Sequence, residues 1–139
     1  MRATSANLKE VAGLFKFLAD NTSVEWVIHA VGSDYTLGTI HKNGSAGSWM
    51  DYCITYPEAS LHSHPGELLD NELYSMGYGS PQYGDIQNYD IEYGSHVPPR
   101  RNYVYFPISK HIYRIEEGRQ KPRIITSAKS TSQITRLFR

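Results

Sequence analysis

The chain has 139 residues, enough for one domain with a genuine core and no disulfide staples. Hydrophobic residues make up 40% and charged residues 20%, which excludes a disordered chain. Lys plus Arg, at 14, equals Asp plus Glu, at 14, so the charge does not point to a nucleic acid partner, and no apolar run reaches the length of a membrane span. Basic residues do dominate from Lys110 to Arg139, and residues 127–139 read as a solvated basic tail on a core of residues 6–126, all within a single domain over 1–139. The one cysteine, Cys53, can form no intrachain disulfide and lies in the apolar run Tyr52-Cys53-Ile54, where a buried inert thiol is expected. The N-terminus lacks the basic-then-apolar pattern of a signal peptide.

The first element is a helix. Leu8, Val11, Leu14, Phe15 and Leu18 recur at helical spacing, and Asn7 with Glu10 resembles a capping box, which predicts an amphipathic helix over 7–20. Val24-Glu25-Trp26-Val27-Ile28 is β-branched and aromatic and predicts a strand. After the turn Gly32-Ser33-Asp34, residues 35–41 predict its hairpin partner. Residues 43–48 predict a loop, and 52–56 a third strand. Ala59-Ser60-Leu61 then runs into His62. Residues 65–84 are rich in Gly, Pro, Tyr and Ser without clear periodicity, which suits a functional loop or lid. Asp85 to Tyr93 predicts a short helix. Residues 103–108, 111–115 and 123–126 predict three closing strands, with a turn at Glu117-Gly118. An early helix, several strands and a second short helix together imply an α/β fold with a mixed sheet.

The sharpest local feature is Leu61-His62-Ser63-His64-Pro65. Residues i and i+2 at the end of a strand point to one face, so two imidazoles at that spacing can converge on one metal ion. Pro65 stops the strand and leaves that face open. The plainer alternative is two surface histidines at a strand end. A catalytic zinc needs three protein ligands and one open position. Asp85, just after Gly84 at the start of a short helix, is the chosen third ligand, with Asp70, Glu72 and Asp90 as competitors. Without the histidines, Asp85 would be a helix cap. Glu25 stands between Val24 and Trp26 in an otherwise apolar strand. It is either an outward-facing residue of an alternating strand or a buried carboxylate that needs a partner. His29, His41, His96 and His111 fit no ligand pattern and are expected to be structural or exposed.

Glu on an early strand, then His-Ser-His-Pro, then a Ser-containing turn ending in Asp resembles the JAB/JAMM (MPN-type) metallopeptidases, in order over residues 6–115. From Val24-Glu25-Trp26 onward, with a long Gly/Pro/Ser-rich insert ending in Tyr83-Gly84-Asp85-Ile86, the chain looks most like the JAB-like domains of bacterial polymorphic (Rhs-type) toxins. The resemblance implies a cytidine-deaminase-like or JAB-type mixed β-sheet, flanked by the N-terminal helix and a short helix after the metal-binding loop. It implies zinc on His62, His64 and Asp85, with Glu25 as the proton-transferring base. Ser80 would be the donor to the water or the oxyanion. The family places that Ser three residues before the Asp, where this chain has Gln82, whereas Ser80 precedes Asp85 by five. The implied activity is zinc-dependent peptidase or isopeptidase hydrolysis of a protein or peptide substrate. The implied setting is a secreted or delivered effector that acts in the cytoplasm of a target cell, and the producing cell would hold a cognate immunity protein. The competing expectations are a metal-free JAB-like binding or scaffold module, and a zinc hydrolase of another amide or a nuclease. Balanced charge argues against the nuclease.

Overall fold

The computed structural model describes residues 2–39, 57–79, 84–86, 101–116 and 121–139. The elements are β1 (Arg2–Ser5), α1 (Leu8–Asn21), β2 (Val27–Val31), β3 (Asp34–Gly38), β4 (Ala59–Ser63), a 3-10 turn (Leu69–Asn71) leading into α2 (Glu72–Ser75), β5 (Arg101–Tyr105), β6 (His111–Ile115), β7 (Arg123–Ser127) and α3 (Thr131–Leu137). The strands form one seven-stranded sheet in the order β1-β3-β2-β4-β5-β6-β7. Every pair is antiparallel except β4 with β5. A parallel pair cannot be closed by a hairpin and needs a crossover. Here the crossover leaves at His64, carries α2 and Asp85, and returns at Arg101.

The expected α/β fold with a mixed sheet is the observed one. Helix α1 begins where the capping pattern places it, since the Asn7 side chain accepts the Glu10 N–H at 3.2 Å. Its apolar stripe buries Val11, Ala12, Phe15 and Ala19. Phe15 is fully buried and meets the Tyr105 ring at 6.1 Å, and such a buried aromatic contributes about 1.5–3 kcal/mol relative to exposure. The β2–β3 hairpin turns on Gly32, whose φ of 60° is open to glycine, at the first position of a two-residue turn.

The period of two sorts the sheet into two faces. Ile28, Leu61 and Tyr103 are register partners that face α1 and α3 in the larger core. Val27, His62, Val104 and Tyr113 are likewise in register and face the other way. On that second face Met76, Val104, Phe106, Tyr113 and Ile115 make a smaller core with Leu73 packed against it. The crossover therefore lies over the face to which His62 points.

Several elements differ from the sequence expectation. The strand predicted over 24–28 begins at Val27 and runs to Val31. Its regular ladder stops there because the Trp26 N–H goes to the Ser63 side chain at 3.0 Å instead of to a carbonyl. Residues 2–5, with no apolar pattern, form the edge strand β1 because the outer side of β3 offers a row of main-chain partners. The solvated tail expected over 127–139 is instead the end of β7 followed by α3, which buries Ile134, Leu137 and Phe138 in the larger core. The aperiodic stretch 65–84 holds the one-turn helix α2, too short to show a period in sequence. Asp85 and Ile86 are helical as expected. The predicted strand 52–56, loop 43–48, Cys53, the rest of the 85–93 helix and the Glu117-Gly118 turn lie outside the described residues.

Candidate metal centre

His62 is the penultimate residue of β4, and His64 follows the strand, held by its N–H on the Tyr105 carbonyl at 2.9 Å. Ser63 between them is fully buried on the opposite face. Its N–H donates to the Trp26 carbonyl at 2.9 Å while its hydroxyl accepts the Trp26 N–H. This double tie draws the Glu25–Trp26 segment alongside His62–His64. A second bond, from the Trp26 indole N–H to Thr22 Oγ1 at 2.8 Å, fixes the segment to the end of α1. Glu25 is consequently buried, and its Oε1 lies 3.7 Å from His64 Nε2. It is the inward carboxylate of the two alternatives the sequence left open.

Asp85 comes from within the crossover, after α2. Its Oδ1 is 2.8 Å from His62 Nε2 and its Oδ2 is 2.9 Å from His64 Nε2. The two Nε2 atoms are 3.2 Å apart. One ligand atom from each of His62, His64 and Asp85 lies within 4.8 Å of the others, the arrangement a single metal ion requires. The segment 84–86 is seated on the end of α2. The Ile86 N–H donates to the Met76 carbonyl at 3.0 Å, and a Cβ on Gly84 would fall 2.6 Å from Gly77 N. Only glycine permits that approach.

The hydrogen bonds fix the tautomer of His64. The Ser75 hydroxyl donates to the Glu72 carbonyl at 2.9 Å, which uses its one proton. With that proton so used, His64 Nδ1, 3.1 Å from the same oxygen, is placed to be the N–H donor. Nε2 is left with a lone pair aimed at Asp85 and His62. In that tautomer His64 Nε2 and the buried Asp85 Oδ2 face each other as acceptors at 2.9 Å, and Oδ2 has no other hydrogen-bond partner among the described residues. A cation between them removes that repulsion, and the donor set fits one. Ser75 was not singled out from sequence. Its only signal was a serine on a short turn after His-Ser-His-Pro.

Without a cation the same groups are held together by protons instead. Burial opposes protonation of His62, but the charge and hydrogen bond of Asp85, with Glu25 further off, push its pKa up to about 9. Burial likewise opposes ionisation of Asp85, and the two imidazoles hold its carboxyl well below the usual carboxylate range. His29, buried in β2, is pushed down to about 4 by desolvation and by His62, which keeps it neutral at pH 7.

A family model described as JAB-like toxin 1 matches residues 3–90. The chain belongs to the JAB-like toxin 1 family. No curated protein and no solved structure matches it. The matched span of this JAB-like toxin domain runs from β1 past Asp85 and so contains Glu25, His62, His64 and Asp85. Beyond it, β5, β6, β7 and α3 complete the sheet and its cover. No helix among the described residues of the domain is long and apolar enough to cross a membrane.

Of the competing third ligands, Asp70 is exposed on the 3-10 turn, while Glu72 is fully buried and bonded to His111 and Tyr113. Neither belongs to the cluster. Asp90, Ser80, Gln82, His41 and His96 lie outside the described residues.

Proposed function

We propose that this toxin domain is a zinc-dependent peptidase or isopeptidase, the toxic module of a secreted bacterial polymorphic toxin. The observation that carries the reading is the convergence of His62, His64 and Asp85 on one point, with Glu25 beside it. Tetrahedral zinc with bonds near 2.0–2.1 Å places its ligand atoms about 3.3 Å from one another. The separations of 2.8 to 3.2 Å here are close to that, and three protein donors leave one position open.

A bound zinc ion supplies Lewis acidity, lowering the pKa of water towards ~7 and polarising a carbonyl. His64 holds its lone pair ready because Ser75 keeps the proton on Nδ1. Glu25, buried at the edge of the cluster, takes the proton of the attacking water and returns it to the leaving amine. Ser80 donates to the developing oxyanion, and Gln82 is its alternative. The substrate is a protein or peptide, and the producing cell is protected by a cognate immunity protein.

Metal content of the purified domain, beside a His62→Ala/His64→Ala double variant, is the first test. One zinc per chain, lost in the variant, supports the reading and justifies a screen of peptide and isopeptide substrates. A wild-type protein that takes up no added zinc would overturn it in favour of a metal-free binding module.

A further inference from the structure

Glu72 is a fully buried carboxylate that no step above uses. It starts α2, which packs on a cluster of Met76, Val104, Phe106, Tyr113 and Ile115, where an apolar side chain would be accommodated at far lower cost. Its Oε1 accepts from His111 Nδ1 at 2.9 Å and from the Tyr113 hydroxyl at 2.9 Å. His111 and Tyr113 are residues i and i+2 of β6 and reach the crossover from the same face. Oε2 is buried with no hydrogen-bond partner among the described residues. Among the described residues the carboxylate is thus held by β6.

Helix α2 has one turn and no stability of its own, so its position is set by its anchors. Packing against the small core is non-directional, whereas two hydrogen bonds to one oxygen fix the rotation of the turn. What that rotation governs is the metal cluster. From one side of α2, Ser75 reaches His64 Nδ1 and is itself held by the Glu72 carbonyl. From its end, the Met76 carbonyl and the Gly77 backbone seat residues 84–86 and with them Asp85. Phe106 adds a second link, edge-on to both His64 at 5.2 Å and Tyr113 at 5.4 Å. Two of the three ligands therefore rest on a turn that packs on the small core and whose buried carboxylate, Glu72, ties it to β6.

We infer that Glu72 is a positioning residue of the metal centre, locking α2 to His111 and Tyr113 so that Ser75 and the Met76–Gly77 turn hold His64 and Asp85 at their ligand positions. The inference rests on His62, His64 and Asp85 binding a metal ion. The test compares wild type with Glu72→Leu, Glu72→Gln and Tyr113→Phe. Zinc affinity is read by competition with a chromophoric chelator, and geometry by the visible bands of the cobalt(II)-loaded protein. Thermal stability of the metal-free forms is measured alongside. Loss of an outer partner of a metal ligand costs about 10- to 100-fold in affinity. Glu72→Leu, acting through Ser75 and the Met76–Gly77 turn, is expected to lose up to that much and to shift the cobalt bands, even where its metal-free stability equals or exceeds wild type. Glu72→Gln keeps an acceptor oxygen and should recover most of the affinity, with Tyr113→Phe between the two. Ile134→Ala, in the core on the opposite face, should lower stability and leave affinity and spectrum unchanged. Wild-type affinity and spectrum in Glu72→Leu overturn the inference. If that variant does not fold, unchanged values in Tyr113→Phe overturn it equally. A wild-type domain that binds neither zinc nor cobalt fails the metal reading itself, and the inference with it.

Discussion

Ser63 and Ser75 do for the two histidines what the histidines cannot do for themselves. Ser63, alternating to the far face, ties Trp26 and so delivers Glu25 to within 3.7 Å of His64. Ser75 orients one imidazole and fixes its tautomer. The pair His62 and His64 was legible in sequence because strand alternation by itself puts them on one side. Glu25 was legible as an anomaly, a charge in an apolar strand, but its direction was not. The contact that aims it joins its neighbour Trp26 to Ser63, 37 positions apart in the chain. Substituting Glu25→Gln preserves shape and removes the proposed base. Metal content is expected to stay at the wild-type level while hydrolysis of any accepted peptide falls by about 10²–10⁴-fold. Unimpaired turnover would take Glu25 out of the mechanism.

Among the elements, α1 is the one whose end is coupled to the strands that carry the site. Asp20, in its last turn, accepts from Lys16 Nζ at 2.6 Å and from the Tyr105 hydroxyl at 2.7 Å, and its Oδ1 is 3.1 Å from Lys110 Nζ. Burial opposes its ionisation, but these partners together hold its carboxyl below the ordinary 3.8. A depressed carboxylate pKa contributes stability that is present above pH 3.8 and lost as pH falls through the lower folded value. Asp20→Asn should therefore cost about 1–3 kcal/mol at neutral pH, the scale of hydrogen bonds to a charged group. The gap from wild type should narrow as pH falls below 3.8. Denaturant midpoints at pH 7 and pH 3 measure it, and a gap of the same size at both would assign the cost to packing. Lys110 can take part because it stands at φ 69° in the β5–β6 turn, which aims its side chain back at α1. The helix itself was legible from its stripe and cap, and the three closing strands from their apolar runs. Strand β1 was not, because an edge strand needs only backbone groups and a neighbour that offers pairing.

Over the whole molecule, the sheet divides stability from chemistry. One face is closed by α1 and α3 over the larger core, and the other carries the crossover with its polar cluster. Helix α3 was misread as a basic tail although Ser130 with Gln133 makes a capping box and Ile134, Leu137 and Phe138 follow at helical spacing. Arginines interleaved with a short stripe hid the pattern. Ile134 is fully buried in the larger core, so Ile134→Ala should destabilise the domain by about 2–5 kcal/mol in equilibrium unfolding. A loss below about 0.5 kcal/mol would return residues 131–139 to the solvent.

The chain's own order of residues determined whatever depends on near neighbours: a capped amphipathic helix, strands marked by β-branched and aromatic runs, and two histidines made parallel by a period of two. Tertiary structure alone decided which carboxylates serve which task. Asp85 was the expected third ligand, with Asp70, Glu72 and Asp90 as competitors that no local pattern excluded. The fold sends Asp85 into the cluster and Glu72 into a buried pairing with His111 and Tyr113. The reason is distance along the chain. The choice is made by a crossover that carries residues more than ten positions apart onto one sheet face, and no local pattern encodes where such a segment comes down.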